Sequence, residues 1–389
     1  MSGKAANDSA PGGKVNWDII AGTIQEQKCI LFIGPGVFGN EQFPRLEEWM
    51  ADFLKNDPEG LVKKYYADDS LFAFKDPSAK TKATFALKKF FSEADFSHVR
   101  ELYRKIAAIP FSMIFTLTPD DLLQKVFDEK KVNYHPDFYL KNQPPRQVET
   151  PITPTANSPL IYNMFGFIQN RDSLVLTHDD LFDYLNSLLA EQSMHPDIKQ
   201  TIKKMENFIF LGISFDKWYM RLLLKMLYRL QGRDEFLRFA NEAALQEDVR
   251  TLFVDQFRIE FVPQQIDEFI DHLYDYFEGK GLLRKESDEK PGIASQLKEM
   301  IGEGKVADAI AGLQTYLDRF LAENTTLPES SSEMLSGLGS ELLQLRSMLR
   351  RLENRKRQGI ISEEKADLEM NQITHSLIGY LDEVEAMKL

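Results

Sequence analysis

Residues 28–39 read Lys-Cys-Ile-Leu-Phe-Ile-Gly-Pro-Gly-Val-Phe-Gly, an apolar run that stops at two glycines. Cys29 to Ile33 has the length and the β-branched and aromatic content of a buried parallel strand. Gly34, Gly36 and Gly39 then spell G-x-G-x-x-G, the turn that lets phosphates approach the backbone where a helix begins. Two readings stay open on these residues alone. One is a nucleotide cradle; the other is a tight strand-exit turn that holds no ligand, since so short a pattern recurs by chance.

Working outward, a standard dinucleotide fold needs a second strand that ends in an acid about 20 residues after the glycines. Here Pro44 to Leu54 reads as a helix, with Leu46, Trp49, Met50 and Phe53 on one face. That helical stretch runs on, interrupted near Asp57-Pro58 and Asp76-Pro77, as far as Ile109, and Lys55 to Ser70 is charged and not strand-like. The ordinary dehydrogenase reading therefore loses its second strand. Before the glycines, Trp17 to Gln27 reads as a short helix. After Ile109, strands are expected at Phe111–Leu117, Pro159–Met164, Ser173–Leu176 and Asn207–Ile213, with a final strand or two in Leu252–Val262. Helices are expected up to Asp128, over Asp179–Glu191, over Trp218–Leu230 and over Gln264–Phe277, and residues 131–159, rich in proline, read as a long connection. The pattern predicts an α/β domain over residues 16–277, a Rossmann-like, mostly parallel sheet with helical insertions, behind a disordered leader at 1–15.

With 389 residues the chain has length for two domains, and its net charge of −13 disfavours nucleic acid and anionic membranes as partners. No apolar stretch is long enough to span a bilayer and no signal peptide is evident, so a cytoplasmic location is expected. Cys29 is the single cysteine, and its apolar setting predicts an inert core thiol. The six histidines are scattered, without the spacing of a helical metal site, so no metal is expected.

Residues 278–292 are polar and rich in helix breakers, which places a linker there and a second domain at 293–389. Leu335, Leu338, Leu342, Leu345, Leu349 and Leu352 recur at steps of three and four, the spacing of one apolar helix seam. Gly359 ends that helix and Ser362 caps the next, on which Ala366, Met370, Ile373, Leu377, Tyr380 and Val384 keep the spacing. Together with helices at 293–301 and 306–321 they predict a C-terminal all-α bundle of about four helices. Arg346, Arg350, Arg351, Arg355, Lys356 and Arg357 form a basic face beside the seam, either a solvated face or a binding patch.

Four marked strand ends now stand in order: Gly34-Pro35-Gly36-Val37-Phe38, Thr116-Leu117-Thr118-Pro119-Asp120, Phe165-Gly166, and Gly212-Ile213-Ser214-Phe215-Asp216. In open α/β sheets such ends converge on one crevice. Together they resemble the sirtuin-like family of NAD-binding proteins, whose pattern runs Gly-Ala-Gly-x-Ser, Thr-x-Asn-x-Asp, His-Gly and Gly-x-Ser. The insertion after the first motif and Leu-Val-Leu-Thr-His-Asp-Asp at 174–180 resemble the bacterial branch that cleaves NAD in antiphage defence. The resemblance implies a site for NAD or a related nucleotide around Gly34, Pro35, Gly36, Phe38, Thr118, Asp120, Gly212 and Ser214. Thr118 and Phe165 stand where the family has its ribose-positioning Asn and its general-base His, and Phe38 and Pro35 where it has Ser and Ala. A phenyl ring accepts no proton and a proline donates no N–H, so the resemblance implies a framework without its catalytic groups, and no catalytic residue is assigned. His178, Asp120 and Asp216 remain as substitute bases, each with a plain alternative as a cap or solvated group.

The stretches 304–310, 345–353, 358–362 and 369–373 resemble the effector-associated domains of bacterial conflict proteins, which pair like with like. The two resemblances imply a catalytically impaired sensor, scaffold or recruiting subunit in an antiphage system, engaging a protein partner through the C-terminal domain and forming a homo-oligomer. The alternatives are an active NAD glycohydrolase and a binder of another nucleotide.

Overall fold

A computed structural model describes residues 16–43, 45–141, 153–190, 194–231, 237–241, 245–284, 293–302, 304–323 and 329–386. They fall into two compact units, the first holding the described residues up to Arg284 and the second those from Ile293. The expected leader at 1–15 lies outside the described residues, as does the stretch 142–152 of the proline-rich connection.

In the first unit the elements are α1 (Trp17–Gln25), β1 (Cys29–Ile33), α2 (Leu46–Lys55), β2 (Val62–Tyr66), β3 (Leu71–Phe74), α3 (Pro77–Glu93), α4 (Ser97–Ala108), β4 (Met113–Thr116), α5 (Leu122–Glu129), β5 (His135–Phe138), β6 (Leu160–Asn163), α6 (His178–Leu189), α7 (Pro196–Ile202), β7 (Asn207–Leu211), α8 (Trp218–Gln231), β8 (Leu237–Asn241), α9 (Glu247–Phe257), β9 (Glu260–Val262) and α10 (Ile266–Gly279). Seven strands form one all-parallel sheet in the order β5-β6-β4-β1-β7-β8-β9. β1 lies at the middle, with Ile30 opposite Met113 of β4 and Phe208 of β7. All five of its residues are buried, as an unbroken apolar run requires of a strand covered on both faces. Phe32 is wedged between Phe115 and Phe210 at ring separations of 5.3 and 5.0 Å. The chain order reverses across β1, so the crevice of this sheet opens beyond its carboxyl end, where residues 34–39 leave.

Several expectations are corrected. The stretch read as interrupted helix holds a β2–β3 antiparallel hairpin, with Tyr66 opposite Leu71; its lysines face outward while Leu71 and Phe72 are buried beneath it. The proline-rich connection contributes β5, which tolerates Pro136 because it is an edge strand and needs no N–H on its open side. Ser173–Leu176 forms no strand: Ser173 closes a 3-10 turn, and Val175 and Leu176 bond singly to Phe165 and to Phe72. Most of Leu252–Val262 is helix α9, because Phe253 and Phe257, four apart, bury one helical face; only β9 is extended. β8 has no counterpart among the expected strands.

The second unit contains α11 (Ile293–Gly302), α12 (Val306–Glu323), α13 (Glu329–Arg357) and α14 (Glu363–Ala386). The six seam leucines of α13 are all buried, against Ile373, Leu377 and Val384 of α14 and Leu313 and Leu317 of α12. Met370 and Tyr380 are only partly buried, and Leu381 takes the core position beside Leu377. Gly359 adopts the left-handed backbone (φ 65°) that ends α13, and Ser362 Oγ accepts from Lys365 N–H. Arg355 pairs with Glu369, so it belongs to the hairpin rather than to a free basic face, while Arg346, Arg350, Arg351, Lys356 and Arg357 are exposed.

Candidate functional site

The carboxyl ends of β1, β4 and β6 meet at a cavity of about 50 Å³. Pro35, Thr118, Pro119 and Phe165 come to it from the strand ends; α2 adds Leu46, Glu47 and Met50, the hairpin adds Ser70, Leu71 and Phe72, and α6 and α8 add Leu181 and Tyr219. The hairpin roofs the cavity because its turn is fastened down. Asp69 accepts from Trp218 Nε1 (2.9 Å) and meets His178 Nε2 (2.8 Å), and Lys217 Nζ donates to Ala67 O (2.7 Å). His178, a candidate base, is therefore committed to the hairpin turn and is not among the residues lining the cavity.

The glycine loop is closed on itself. Gly34 N–H donates to Leu211 O (2.8 Å), Gly36 N–H to Gly212 O (2.9 Å), Val37 N–H to Gly34 O (3.3 Å) and Gly39 N–H to Gly36 O (3.1 Å), while Pro35 has no N–H to offer. The glycines are required by the approach of two backbones. A Cβ on Gly34 would lie 2.3 Å from Gly212 O, and one on Gly36 would lie 2.9 Å from Gly212 Cα. Gly212 itself has φ +63°, and Asn241 Oδ1 at the end of β8 accepts from its N–H. Phe38 does not reach the cavity; its buried ring packs on Phe96 and Tyr103, toward α4.

Thr118 is buried on the cavity wall, and its Oγ1 makes no hydrogen bond of good geometry, although it lies near enough to Asp120 to favour the ionised carboxyl. Asp120 is buried, and desolvation pushes its pKa up to about 6; its Oδ1 accepts from Leu122 N–H, the helix-start role expected of it. Phe165 stands between Tyr184 (5.3 Å) and Tyr219 (5.9 Å), edge-on to both. Ser214 Oγ is buried without a partner, Asp216 pairs with Arg45, and neither lines the cavity. Of the strand ends expected to converge, three supply cavity wall; the fourth, at Gly212, holds the glycine loop from behind.

A family model described as the SIR2-like domain matches residues 112–261, from the start of β4 to β9, and one described as effector-associated domain 11 matches residues 292–385. The chain joins a SIR2-like domain to an effector-associated domain. No curated protein matches it. Among solved structures, one described as "Structural Basis for the Mechanism and Regulation of Sir2 Enzymes" aligns with a TM-score of 0.35 at 10% identity, covering 68% of this chain and 98% of that one. The SIR2-like match contains Thr118, Phe165, Gly212 and Ser214, while the glycine loop precedes it.

The residues present do not fit NAD as the structure stands. Ligand pockets occupy about 300–1,000 Å³, and here the cavity lined by Thr118 and Phe165 is about 50 Å³. The titratable group that sequence reading passed over is Glu47, which in the sequence looks like a helix-start acid. Its Oε2 is buried without a partner, and desolvation raises its pKa to about 7 against the opposing pull of Arg45 and Lys217. Nothing in its spacing marks it, because the cavity it lines is assembled from distant elements, among them a hairpin illegible in the sequence. No group of residues suited to a metal ion occurs among the described residues.

The Thr-His-Asp-Asp stretch carries structure instead. Thr177 and Asp180 form a reciprocal capping box, and Asp180 also receives Lys80 and Lys141, each at 2.7 Å. Burial alone would raise the Asp180 pKa, but the two ammonium groups and Thr177 outweigh it and hold it at about 2. A depressed carboxyl stabilises the fold above its unfolded value near 3.8 and loses that contribution as pH falls toward 2. Asp180→Asn should therefore cost about 2 kcal/mol at pH 7. Urea unfolding of both proteins at pH 7 and near pH 3 tests this: the gap should narrow at the lower pH, and a pH-independent gap would assign the loss to packing.

Proposed function

We propose that this protein is a non-hydrolysing SIR2-like subunit that recruits a partner through its effector-associated domain, within a bacterial antiphage system. The observation that carries the reading is the glycine loop. Its N–H groups at Gly34, Gly36, Val37 and Gly39 are spent on neighbouring carbonyls, so a pyrophosphate arriving there meets a satisfied backbone. Phe165 at the position of the family base and the small cavity agree with it. The exposed arginines of α13 provide the C-terminal domain with a charged face for its partner.

One observation favours the rival glycohydrolase. Glu47 is the carboxyl on the cavity wall, and with a pKa raised to about 7 it suits general-base work at neutral pH. Incubating the full chain with NAD, alone and with the proteins encoded beside it, decides between them. The expected result is no nicotinamide release above a blank and no binding in a calorimeter. Turnover that Glu47→Gln abolishes would replace the first reading by the second, and binding without turnover would make the protein a sensor.

A further inference from the structure

The outer faces of α6 and α8 carry an apolar surface that no described residue covers. Phe182 and Leu189 on α6 are 53% and 57% exposed, and Trp218 and Leu222 on α8 are 38% and 47% exposed. The two helices join across this surface at Phe182 and Trp218, whose ring centroids are 6.3 Å apart. Large exposed aromatic and aliphatic side chains grouped in this way mark an association surface.

Charge is divided between the two helices. The exposed stripe of α8 adds Arg221, Lys225 and Arg229 to its apolar pair, and the stripe of α6 adds Asp179 and Asn186, with Asp183 half-buried beside them. Asp183 already has Lys141, but no ion pair within the chain engages Asp179, Arg221, Lys225 or Arg229 among the described residues. One surface thus has the basic row of α8 beside two carboxylates of α6, Asp179 and the Lys141-paired Asp183. A two-fold axis over it would bring α6 of one copy against α8 of the other, twice, with apolar residues between. Two chains of net charge −13 repel at a distance, so self-association needs such local complementarity.

We infer that α6 and α8 form an isologous interface between two copies of this chain, with Phe182, Leu189, Trp218 and Leu222 at its centre. The inner faces of the same helices supply Leu181 and Tyr219 to the cavity, so the interface backs directly onto the cavity wall. This is independent of whether the cavity binds a nucleotide.

The test is the mass of the full chain by sedimentation over a concentration series. The wild type should dimerise, and Phe182→Asp, a change at an exposed position, should raise the dissociation constant about 100-fold or more. Two charge variants separate this interface from pairing through the C-terminal bundle: Lys225→Glu with Arg229→Glu, and Asp179→Lys with Asn186→Lys. Each alone places like charges opposite each other in both halves of the interface and should remain a monomer, whereas an equimolar mixture restores both complementary halves and should dimerise. A monomeric wild type overturns the inference. So does a dimer indifferent to these changes, which would place the contact elsewhere, and so does a mixture that stays monomeric.

Discussion

Gly34→Ala should destabilise the first unit by at least about 3 kcal/mol, because the added methyl meets backbone that cannot swing aside. The Cβ would lie 2.3 Å from Gly212 O and 2.8 Å from Ile213 Cα. Relief requires separating the exits of β1 and β7, which are tied by Gly34 N–H to Leu211 O and Gly36 N–H to Gly212 O. Gly34 has φ −103°, a conformation any residue adopts, so its own backbone preference contributes little and the cost is steric. Gly60→Ala is the control: Gly60 has φ +58°, and its Cβ would meet only the far end of Lys75, so a loss of about 1 kcal/mol is expected. The three tryptophans, Trp17, Trp49 and Trp218, all lie in the first unit, so their fluorescence in urea reports its unfolding. An unchanged midpoint for Gly34→Ala would mean that packing does not require the glycine, and the nucleotide reading of G-x-G-x-x-G would regain its weight.

That experiment bears on what the sequence can show. β1, β4 and β7 are legible because a strand covered on both faces must be apolar throughout, and the α13–α14 hairpin is legible because one seam repeated over many turns admits no other period. The order of strand ends is legible for the same reason: each glycine or acid follows an apolar run. The β2–β3 hairpin is not, because Val62-Lys-Lys-Tyr-Tyr is buried only in part and shows no clean alternation. β5 is hidden by a proline that only an edge position permits, and β8 by Arg238, whose buried guanidinium donates to Phe257 O.

The site is legible in framework and not in meaning. G-x-G-x-x-G looks the same whether its N–H groups await phosphate or are already bonded, and Pro35 is the one residue of the motif that tilts the choice. The difference lies in Gly212, some 175 residues away, whose carbonyl accepts the Gly36 N–H and whose backbone leaves no room for a side chain on Gly34 or Gly36. Glu47 likewise has a buried carboxyl oxygen only where α2, α8 and the hairpin close around the cavity.

Arg284→Ala should cost roughly 3 kcal/mol, the second large loss, at a position that reads in sequence as linker. Arg284 is buried, and its guanidinium donates to three backbone carbonyls: Nη1 to Ala107 O (2.5 Å), Nη2 to Phe111 O (2.7 Å) and Nε to Ala156 O (2.5 Å). Its own N–H donates to Ala108 O (2.6 Å), and the Phe127 ring lies 5.2 Å from the guanidinium. Ala107 and Ala108 end α4, so the cation satisfies carbonyls that the helix leaves unpaired and sits at the negative end of its dipole. Burial pushes the Arg284 pKa down to about 9, which leaves it protonated at neutral pH. Desolvating it opposes folding, but removing it leaves carbonyls at Ala107, Phe111 and Ala156 without this donor and opens a void over Phe127. Arg284→Lys keeps the charge and loses the planar fork, so it should recover only part of the loss. Tryptophan fluorescence in urea again reads the outcome. A midpoint for Arg284→Ala equal to the wild type would show that water replaces the guanidinium without cost, and the N-terminal unit would then end before this residue.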